Sequence, residues 1–171
     1  MKGYVQVYTG DGKGKTTAAL GLSLRAAGAG LKVCFAQFVK GMKYSEHVAL
    51  DRFSDCITVK QYGRNCCIKD KPDAEDVRIA REGLVEVREI MLSGRYQVIV
   101  LDEANVATRY NLFTADELLD FIRIKPDDME LVITGRDADP KVIEAADLVT
   151  EMKELKHYYK NGISSRCGIE K

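Results

Sequence analysis

Short apolar runs recur along this chain. They are separated by longer stretches in which apolar residues are spaced more widely. Such runs are too brief and too apolar for surface helices, and they predict buried strands. They lie at residues 4–8, 32–39, 96–103, 130–136 and 147–152, with a weaker candidate at 56–62. The sequence therefore predicts five strands and indicates a sixth.

The stretches between these runs predict helices. Helix formers occupy residues 15–28, and apolar residues recur every three or four positions over 77–91. Asp73 is a plausible N-cap for the second of these helices. Thr114 opens a capping box ahead of a third helix, and Asp139 precedes a proline that begins a short fourth one.

Strands that alternate with helices are typical of an α/β fold. We expect a phosphate-loop NTPase-like fold, with a mostly parallel sheet of about five to six strands and helices on both faces. The 171 residues suit one nucleotide-binding domain spanning 1–171. Residues 41–71 are polar and only weakly periodic. Long irregular segments are often functional, and we expect this one to be mobile.

The stretch "TGDGKGKTT", residues 9–17, lies between the first strand and the first helix. The general phosphate-loop pattern requires a glycine where this chain has Thr9, and the first glycine comes one residue later, at Gly10. The order of strand, loop, G-K-T and helix nevertheless favours a polyphosphate site. Lys15 would contact the phosphates and Thr16 would offer a hydroxyl to Mg²⁺, whereas the alternative is a glycine-rich turn with solvated lysines.

Two other strands end in charged residues. "VIVLDE" ends in Asp102 and Glu103, the form of acidic motif that holds Mg²⁺ in phosphate-loop proteins. "ELVITGR" ends in Arg136, which would lie at the same edge of a parallel sheet and could bind phosphate oxygens. The alternatives are a solvated acidic turn and an ordinary surface arginine.

Composition narrows the classes of function. Lysine and arginine together number 26 and so do aspartate and glutamate, so nucleic acid is not an expected partner. The longest aliphatic run, residues 98–101, is far shorter than a membrane span, and we expect a cytoplasmic protein with no membrane contact. Five cysteines with no C-x-x-C pair predict free thiols.

The chain resembles the ATP:corrinoid adenosyltransferases, which attach the 5′-deoxyadenosyl group of ATP to the cobalt of cobalamin and related corrinoids. The resemblance covers nearly the whole chain. It is carried in order by "TGDGKGKTTAALG", "QFVKG", "VLDE", "TGR", "ADLVTEM" and "KHYYKNGISSRCGIE". It implies transfer of adenosyl from MgATP to cobalt(I) with release of triphosphate, by a homodimer that could depend on a partner reductase.

The resemblance also implies roles for individual residues. The catalytic residues would be Lys15, Glu103 and Arg136, and Thr16 with Glu103 would hold Mg²⁺. The residues implied to bind ATP are Gly10, Asp11, Gly12, Lys13, Gly14, Lys15, Thr16, Thr17 and Arg25.

The sequence departs from the resemblance in the segment expected to face the corrinoid. The enterobacterial pattern has aromatic residues there that help to displace the lower axial ligand of cobalt, whereas this chain has Arg64 and Cys66. We hypothesise that Ile68, together with Tyr62 or Phe38, supplies the apolar surface instead. The preferred corrinoid is left open.

Three other functions share these motifs. A phosphate-loop ATPase or switch would use Glu103 to polarise water, and a small-molecule kinase would transfer the terminal phosphoryl group. A carrier would bind the nucleotide or corrinoid without turnover. The fold alone does not separate these functions.

Overall fold

The computed structural model describes residues 2–64, 68 and 71–171. Its strands are β1 (Val5–Thr9), β2 (Val33–Phe38), β3 (Ile57–Tyr62), β4 (Val98–Asp102), β5 (Glu130–Thr134) and β6 (Leu148–Glu151). They form one sheet in the order β3-β2-β4-β5-β1-β6, and every pairing is parallel. All the predicted strands, including the weaker candidate, are confirmed.

Within the described part of the chain, six helices connect the strands. They are α1 (Lys15–Gly28), α2 (Ser45–Leu50), α3 (Ala74–Leu92), α4 (Ala104–Arg109), α5 (Ala115–Ile124) and α6 (Pro140–Ala145), with 3-10 turns at Asp51–Phe53 and Tyr158–Asn161. The four predicted helices are confirmed. Helices α2 and α4 are additional, because six residues are too few to show helical periodicity. Within the described residues, no helix has both the length and the apolar character needed to cross a membrane.

Alternate side chains of the central strands pack into two separate core clusters. In β2, Phe38 belongs to the cluster that includes Leu84 of α3 and the buried residues of α4, α5 and α6. Phe35 belongs to the other cluster, which includes Ala19 of α1 and Leu50 of α2. Because successive side chains of a strand point to opposite faces, the helices cover both faces of the sheet as predicted.

The chain turns abruptly where β2 and β4 end. Val39 and Glu103 follow these strands and have φ values of 65° and 59°, which are strained for non-glycine residues and especially for a β-branched one. A Cβ on Gly41 would lie 2.2 Å from the Gly63 carbonyl oxygen, and a Cβ on Gly63 would lie 2.6 Å from the Lys40 nitrogen. The turn after β2 is therefore packed directly against the end of β3.

The cysteines that the structure describes agree with the expectation of free thiols. Cys34, Cys56 and Cys167 each carry a free thiol. Burial raises the pKa of Cys34 to about 12, so its thiol stays protonated at neutral pH.

Gly83 of α3 packs on the ring of Tyr62, where a Cβ would lie 2.2 Å from Cγ. We expect Gly83→Ala to lower the free energy of unfolding by about 1–3 kcal/mol through overpacking. Gly21 of α1 is the matched control, since its Cβ would meet no atom within 4 Å. Helix propensity alone then raises stability by up to ~1 kcal/mol in Gly21→Ala. Urea unfolding measures the change in the free energy of unfolding for both variants. Equal gains in stability would contradict the close packing of Gly83 on Tyr62.

Candidate functional site

A cleft of about 660 Å³ lies at the edge of the sheet where the parallel strands end. It is lined by residues 12–17, Lys40, Glu103, Arg136 and residues 168–171, among others. A second cleft of about 540 Å³ runs beside α4 and α6 and is lined by none of the predicted site residues. Ligands of parallel α/β sheets bind at the carboxyl ends of the strands, which favours the first cleft.

The glycine loop, residues 10–14, is shaped by its contact with the residue after β6. A Cβ on Gly10 or on Gly12 would lie 2.6 Å from the Met152 carbonyl oxygen, which also accepts a 2.6 Å hydrogen bond from the Gly12 amide. Gly10 and Gly14 have φ values of 91° and 126°. Thr9 is still part of β1, so the first position that requires glycine is Gly10. This geometry explains why the general pattern fails by one residue.

The N-terminus of α1 opens into the cleft without a side-chain cap. Gly14 at the N-cap has no side chain to accept a hydrogen bond, and the first turn of α1 contains no acidic residue. By contrast, Asp73 caps α3 and Thr114 caps α5, each followed by acidic residues in the first turn. The uncapped N–H groups and the helix dipole favour an anion at residues 15–17, which line the cleft.

Two cationic side chains converge on this helix start. The Lys15 ammonium donates to the carbonyl oxygens of Gly10 and Gly12 at 2.6 and 2.8 Å. Burial lowers the pKa of Lys15, and the positive charge of Arg136 lowers it further. The Arg136 guanidinium lies 3.9 Å from the Asp11 carboxylate and is half exposed. Both cations can therefore reach an anion in the cleft.

The Asp102 carboxylate is fully buried and accepts four hydrogen bonds. Its Oδ1 accepts from the hydroxyls of Thr16 and Thr134 at 2.9 and 2.7 Å. Its Oδ2 accepts from Gln37 at 3.1 Å and from the Lys40 ammonium at 3.0 Å. Hydrogen bonds to every side of the carboxylate offset the cost of burying its charge.

Glu103 presents its carboxylate to the cleft, whereas Asp102 does not line it. The left-handed backbone of Glu103 is held by its amide, which donates to the Thr134 hydroxyl at 3.0 Å. Its Oε1 lies 3.6 Å from the Lys40 ammonium. Burial raises the pKa of Glu103, Lys40 opposes that shift and Asp102 reinforces it.

The oxygen atoms of Thr16, Asp102 and Glu103 suit a hard cation such as Mg²⁺. The Lys40 ammonium already lies among them, 3.3 Å from the Thr16 hydroxyl. Among the described residues, no group of three or more His, Cys, Asp or Glu side chains forms a metal site. The oxygen atoms of Thr16, Asp102 and Glu103 therefore fit a Mg²⁺ ion that is held by few protein ligands and otherwise by substrate phosphates.

Sequence reasoning missed several side chains that complete the site. Gln37, Lys40 and Thr134 all contact Asp102, and His47 of α2 shares a 2.6 Å hydrogen bond with the Gln37 amide oxygen. Gln37 lies at the end of β2 and Lys40 lies in the turn that follows it, on the same edge as the other strand ends. The rule that placed Arg136 at that edge could therefore have found Lys40.

The C-terminal residues close one side of the cleft. The Lys13 ammonium donates to the Ile169 carbonyl oxygen at 3.0 Å, and the Ser45 hydroxyl donates to that of Lys171 at the same distance. The tail thus bridges the glycine loop and α2.

The cleft brings together most of the predicted site residues. Those that line it are Gly12, Lys13, Gly14, Lys15, Thr16, Thr17, Glu103 and Arg136. Gly10 and Asp11 lie beside it through their contacts with Lys15 and Arg136. Arg25 does not line it, because it lies in the last turn of α1, about 15 Å along the helix from Lys15. A contact between Arg25 and the nucleotide stays a prediction.

Two of the apolar residues proposed to face a corrinoid lie in the core. Phe38 is fully buried and packs edge-on against Phe113, with ring centroids 5.1 Å apart. Tyr62 is also buried, and its hydroxyl donates to Glu86 at 2.9 Å. The prediction that Phe38 or Tyr62 presents an apolar surface is therefore wrong, since Phe38 has no exposed surface and Tyr62 is only 8% exposed.

Arg64 anchors the start of the segment expected to face the corrinoid. Its guanidinium donates to both oxygens of the buried Asp76 carboxylate, at 2.7 and 2.9 Å, and to Asp73 at 2.7 Å. Arg64 therefore fixes this segment to the start of α3. Ile68 is partly buried against the core, and Cys66 lies outside the described residues.

Comparison with known proteins identifies the family. A family model described as ATP:corrinoid adenosyltransferase BtuR/CobO/CobP matches residues 1–170. This chain belongs to the ATP:corrinoid adenosyltransferase family. A corrinoid adenosyltransferase of Sinorhizobium sp is 35% identical over 172 residues, covering 99% of this chain and 80% of the relative. Those of Pseudomonas aeruginosa and Escherichia coli K12 are 34% and 29% identical, each covering 99% of this chain and 84% and 86% of the relative.

Family membership confirms the resemblance that the short motifs indicated. In this adenosyltransferase the motifs "VKG", "LDE" and "TGR" end three neighbouring strands, β2, β4 and β5. Their carboxyl ends therefore lie at one edge of the sheet.

We expect Asp102→Asn to destabilise this adenosyltransferase by about 3–5 kcal/mol, because removing one partner leaves the Lys40 charge poorly compensated. The new amide would also direct donor hydrogens at existing donors. Asp116→Asn is the control, since Asp116 pairs with Lys141 on the surface and should change stability by less than ~1 kcal/mol. Chemical denaturation measures both, and a small effect at Asp102 would contradict its structural role.

Proposed function

We propose that the protein transfers the 5′-deoxyadenosyl group of ATP to the cobalt(I) of a corrinoid and releases inorganic triphosphate. The observation that carries the proposal is the uncapped N-terminus of α1, which faces a cleft lined by Lys15, Arg136 and Glu103. A polyphosphate is the ligand that such a site favours. Family membership then supports the corrinoid as the acceptor.

The reaction is a displacement at carbon 5′ of the ribose. The electron pair of cobalt(I) forms the cobalt–carbon bond, and the bond from carbon 5′ to the phosphate oxygen breaks. Its electron pair leaves with the triphosphate, so negative charge increases at the departing oxygen. Catalysis therefore requires positive groups around the triphosphate, placed before the reaction begins.

This chain supplies such groups from the glycine loop and its surroundings. The N–H groups at residues 15–17 and the Lys15 ammonium would bind the triphosphate after Lys15 exchanges its two carbonyl contacts for phosphate oxygens. Lys13 and Arg136 line the same cleft and would add further positive charge. Arg25 would contact the nucleotide farther along α1.

Mg²⁺ would be held by the Thr16 hydroxyl and the Glu103 carboxylate, and it would neutralise part of the triphosphate charge. Glu103 suits this role because its carboxylate faces the cleft. The buried Asp102 would act indirectly, by orienting the Thr16 hydroxyl, which donates to its Oδ1.

The corrinoid would bind beside the same cleft, against the segment at about 41–71. Two contacts, which we call anchors, hold the chain where the corrinoid-facing part of this segment begins. They are the contact between Gly41 and Gly63 and the ion pairs of Arg64 with Asp73 and Asp76. The movement expected of this segment falls mostly on residues 65–67, 69 and 70, which lie outside the described residues. Ile68 would supply the apolar surface at the lower face of cobalt.

We also propose that the enzyme acts in the cytoplasm as a homodimer and receives cobalt(I) corrinoid from a separate reductase. Support for the homodimer comes from β6, an edge strand whose Leu148 and Val149 are exposed. Leu155 and Tyr159, which follow β6, are also largely exposed. Large exposed apolar patches are typical of interaction surfaces.

The identity of the phosphate product tests the function. The protein is incubated with ATP, Mg²⁺ and chemically reduced cobalamin, and phosphorus NMR follows the released phosphate. Triphosphate with an equal amount of adenosylcobalamin is expected. Orthophosphate without a cobalt–carbon product would indicate an ATPase, a phosphorylated acceptor would indicate a kinase, and binding without product would indicate a carrier.

We expect Lys15→Ala to lower turnover more than a hundredfold, because a preorganised cationic contact to a leaving group contributes about 3 kcal/mol or more. Lys141→Ala is the matched control, since Lys141 pairs with Asp116 on the surface away from the cleft. Steady-state rates at saturating ATP give the comparison. Turnover of Lys15→Ala close to that of the control would contradict the assignment of the glycine loop.

A further inference from the structure

The Lys40 ammonium lies among the three oxygen groups that the cleft offers to a cation. It is 3.0 Å from Asp102 Oδ2, 3.3 Å from the Thr16 hydroxyl and 3.6 Å from Glu103 Oε1. Only about a fifth of its side chain is exposed, at 22%. A lysine side chain is an ammonium at neutral pH, and the two adjacent carboxylates favour its positive charge.

The backbone holds Lys40 in this position. Val39, which precedes it, has the strained φ of 65°, and its amide donates to the Tyr62 carbonyl oxygen at 3.2 Å. Gly41, which follows it, packs against Gly63 so closely that any side chain there would collide. A strained residue persists only where its surroundings fix it. The position of Lys40 is thus built into the turn after β2.

A divalent cation and this ammonium would compete for the same oxygen atoms. Two positive charges within a few ångströms repel each other strongly in a partly buried site. Without a cation between them, the carboxylates of Asp102 and Glu103 would repel each other, and Lys15 would offset that repulsion only in part. The site therefore favours a single cation among these oxygen atoms.

We propose that the Lys40 ammonium is the resident cation of the nucleotide-free site and that a divalent cation displaces it when nucleotide binds. Until then, Lys40 holds the Thr16 hydroxyl and the Glu103 carboxylate in place, which makes it a positioning residue. This proposal rests on the Mg²⁺ position given under the proposed function. Because Lys40 lines the cleft, the displaced ammonium stays beside the bound nucleotide.

Binding of Mn²⁺ to the nucleotide-free protein tests this exchange without turnover. Electron paramagnetic resonance measures free Mn²⁺ during titration of the wild type, Lys40→Met, Lys40→Arg and Lys43→Met. We expect Lys40→Met to bind Mn²⁺ about tenfold more tightly than the wild type or better, because the competing charge is gone. Lys40→Arg keeps the charge and should stay within about threefold of the wild type.

Lys43→Met is the matched control, because Lys43 lies three residues away and pairs with Asp51 on the surface. Its Mn²⁺ affinity should equal that of the wild type. If Lys40→Met does not fold, Lys40→Gln replaces it, since its neutral amide can still donate to Asp102. Mn²⁺ should also raise the melting temperature of the neutral variant more than that of the wild type.

The proposal would be overturned if the neutral variant bound Mn²⁺ no more tightly than the wild type. It would also be overturned if Lys40→Arg bound Mn²⁺ as tightly as the neutral variant. Neither result depends on the corrinoid reaction. Failure of the proposed function would appear separately, as the absence of triphosphate and adenosylcobalamin from the wild-type assay.

Discussion

The buried carboxylate of Asp102 is the interaction on which the arrangement of this site depends. A fully buried negative charge is tolerated only when hydrogen-bond donors and a positive charge surround it. Its four donors come from the start of α1, the end of β2, the turn after β2 and the end of β5. Satisfying this one group therefore fixes the positions of α1, of β2 with its following turn and of β5 relative to β4, which carries Asp102.

The edge of the sheet is shaped by backbone conformations that ordinary residues avoid. Val39 and Glu103 have left-handed φ values, and Gly10 and Gly135 adopt positive φ where the chain leaves β1 and β5. Each of these residues comes directly after its strand and turns the chain there. Strain of this kind is typical of functional sites, and here it directs Lys40 and the Glu103 carboxylate toward the same small volume.

The helices differ in how the N–H groups at their N-termini are satisfied. Asp73 and Thr114 cap α3 and α5 within the chain, so those helix ends need no further partner. The start of α1 has no such cap and no acidic residue in its first turn, and Lys15 and Arg136 line the cleft beside it. The proposed reaction has to stabilise a departing triphosphate, and the described residues around α1 are suited to that anion.

The sequence by itself determined the α/β fold, the strands and long helices, the glycine loop and the family, because these depend on local periodicity and on motifs contiguous in the chain. It also placed Glu103 and Arg136 at one edge, since the carboxyl ends of parallel strands coincide. Only the tertiary structure decided which carboxylate is buried and which faces the cleft, that Phe38 and Tyr62 belong to the core, and that Lys40 lies between Asp102 and Glu103. Those outcomes depend on strand order, strained turns and contacts between residues far apart in sequence, which no local pattern encodes.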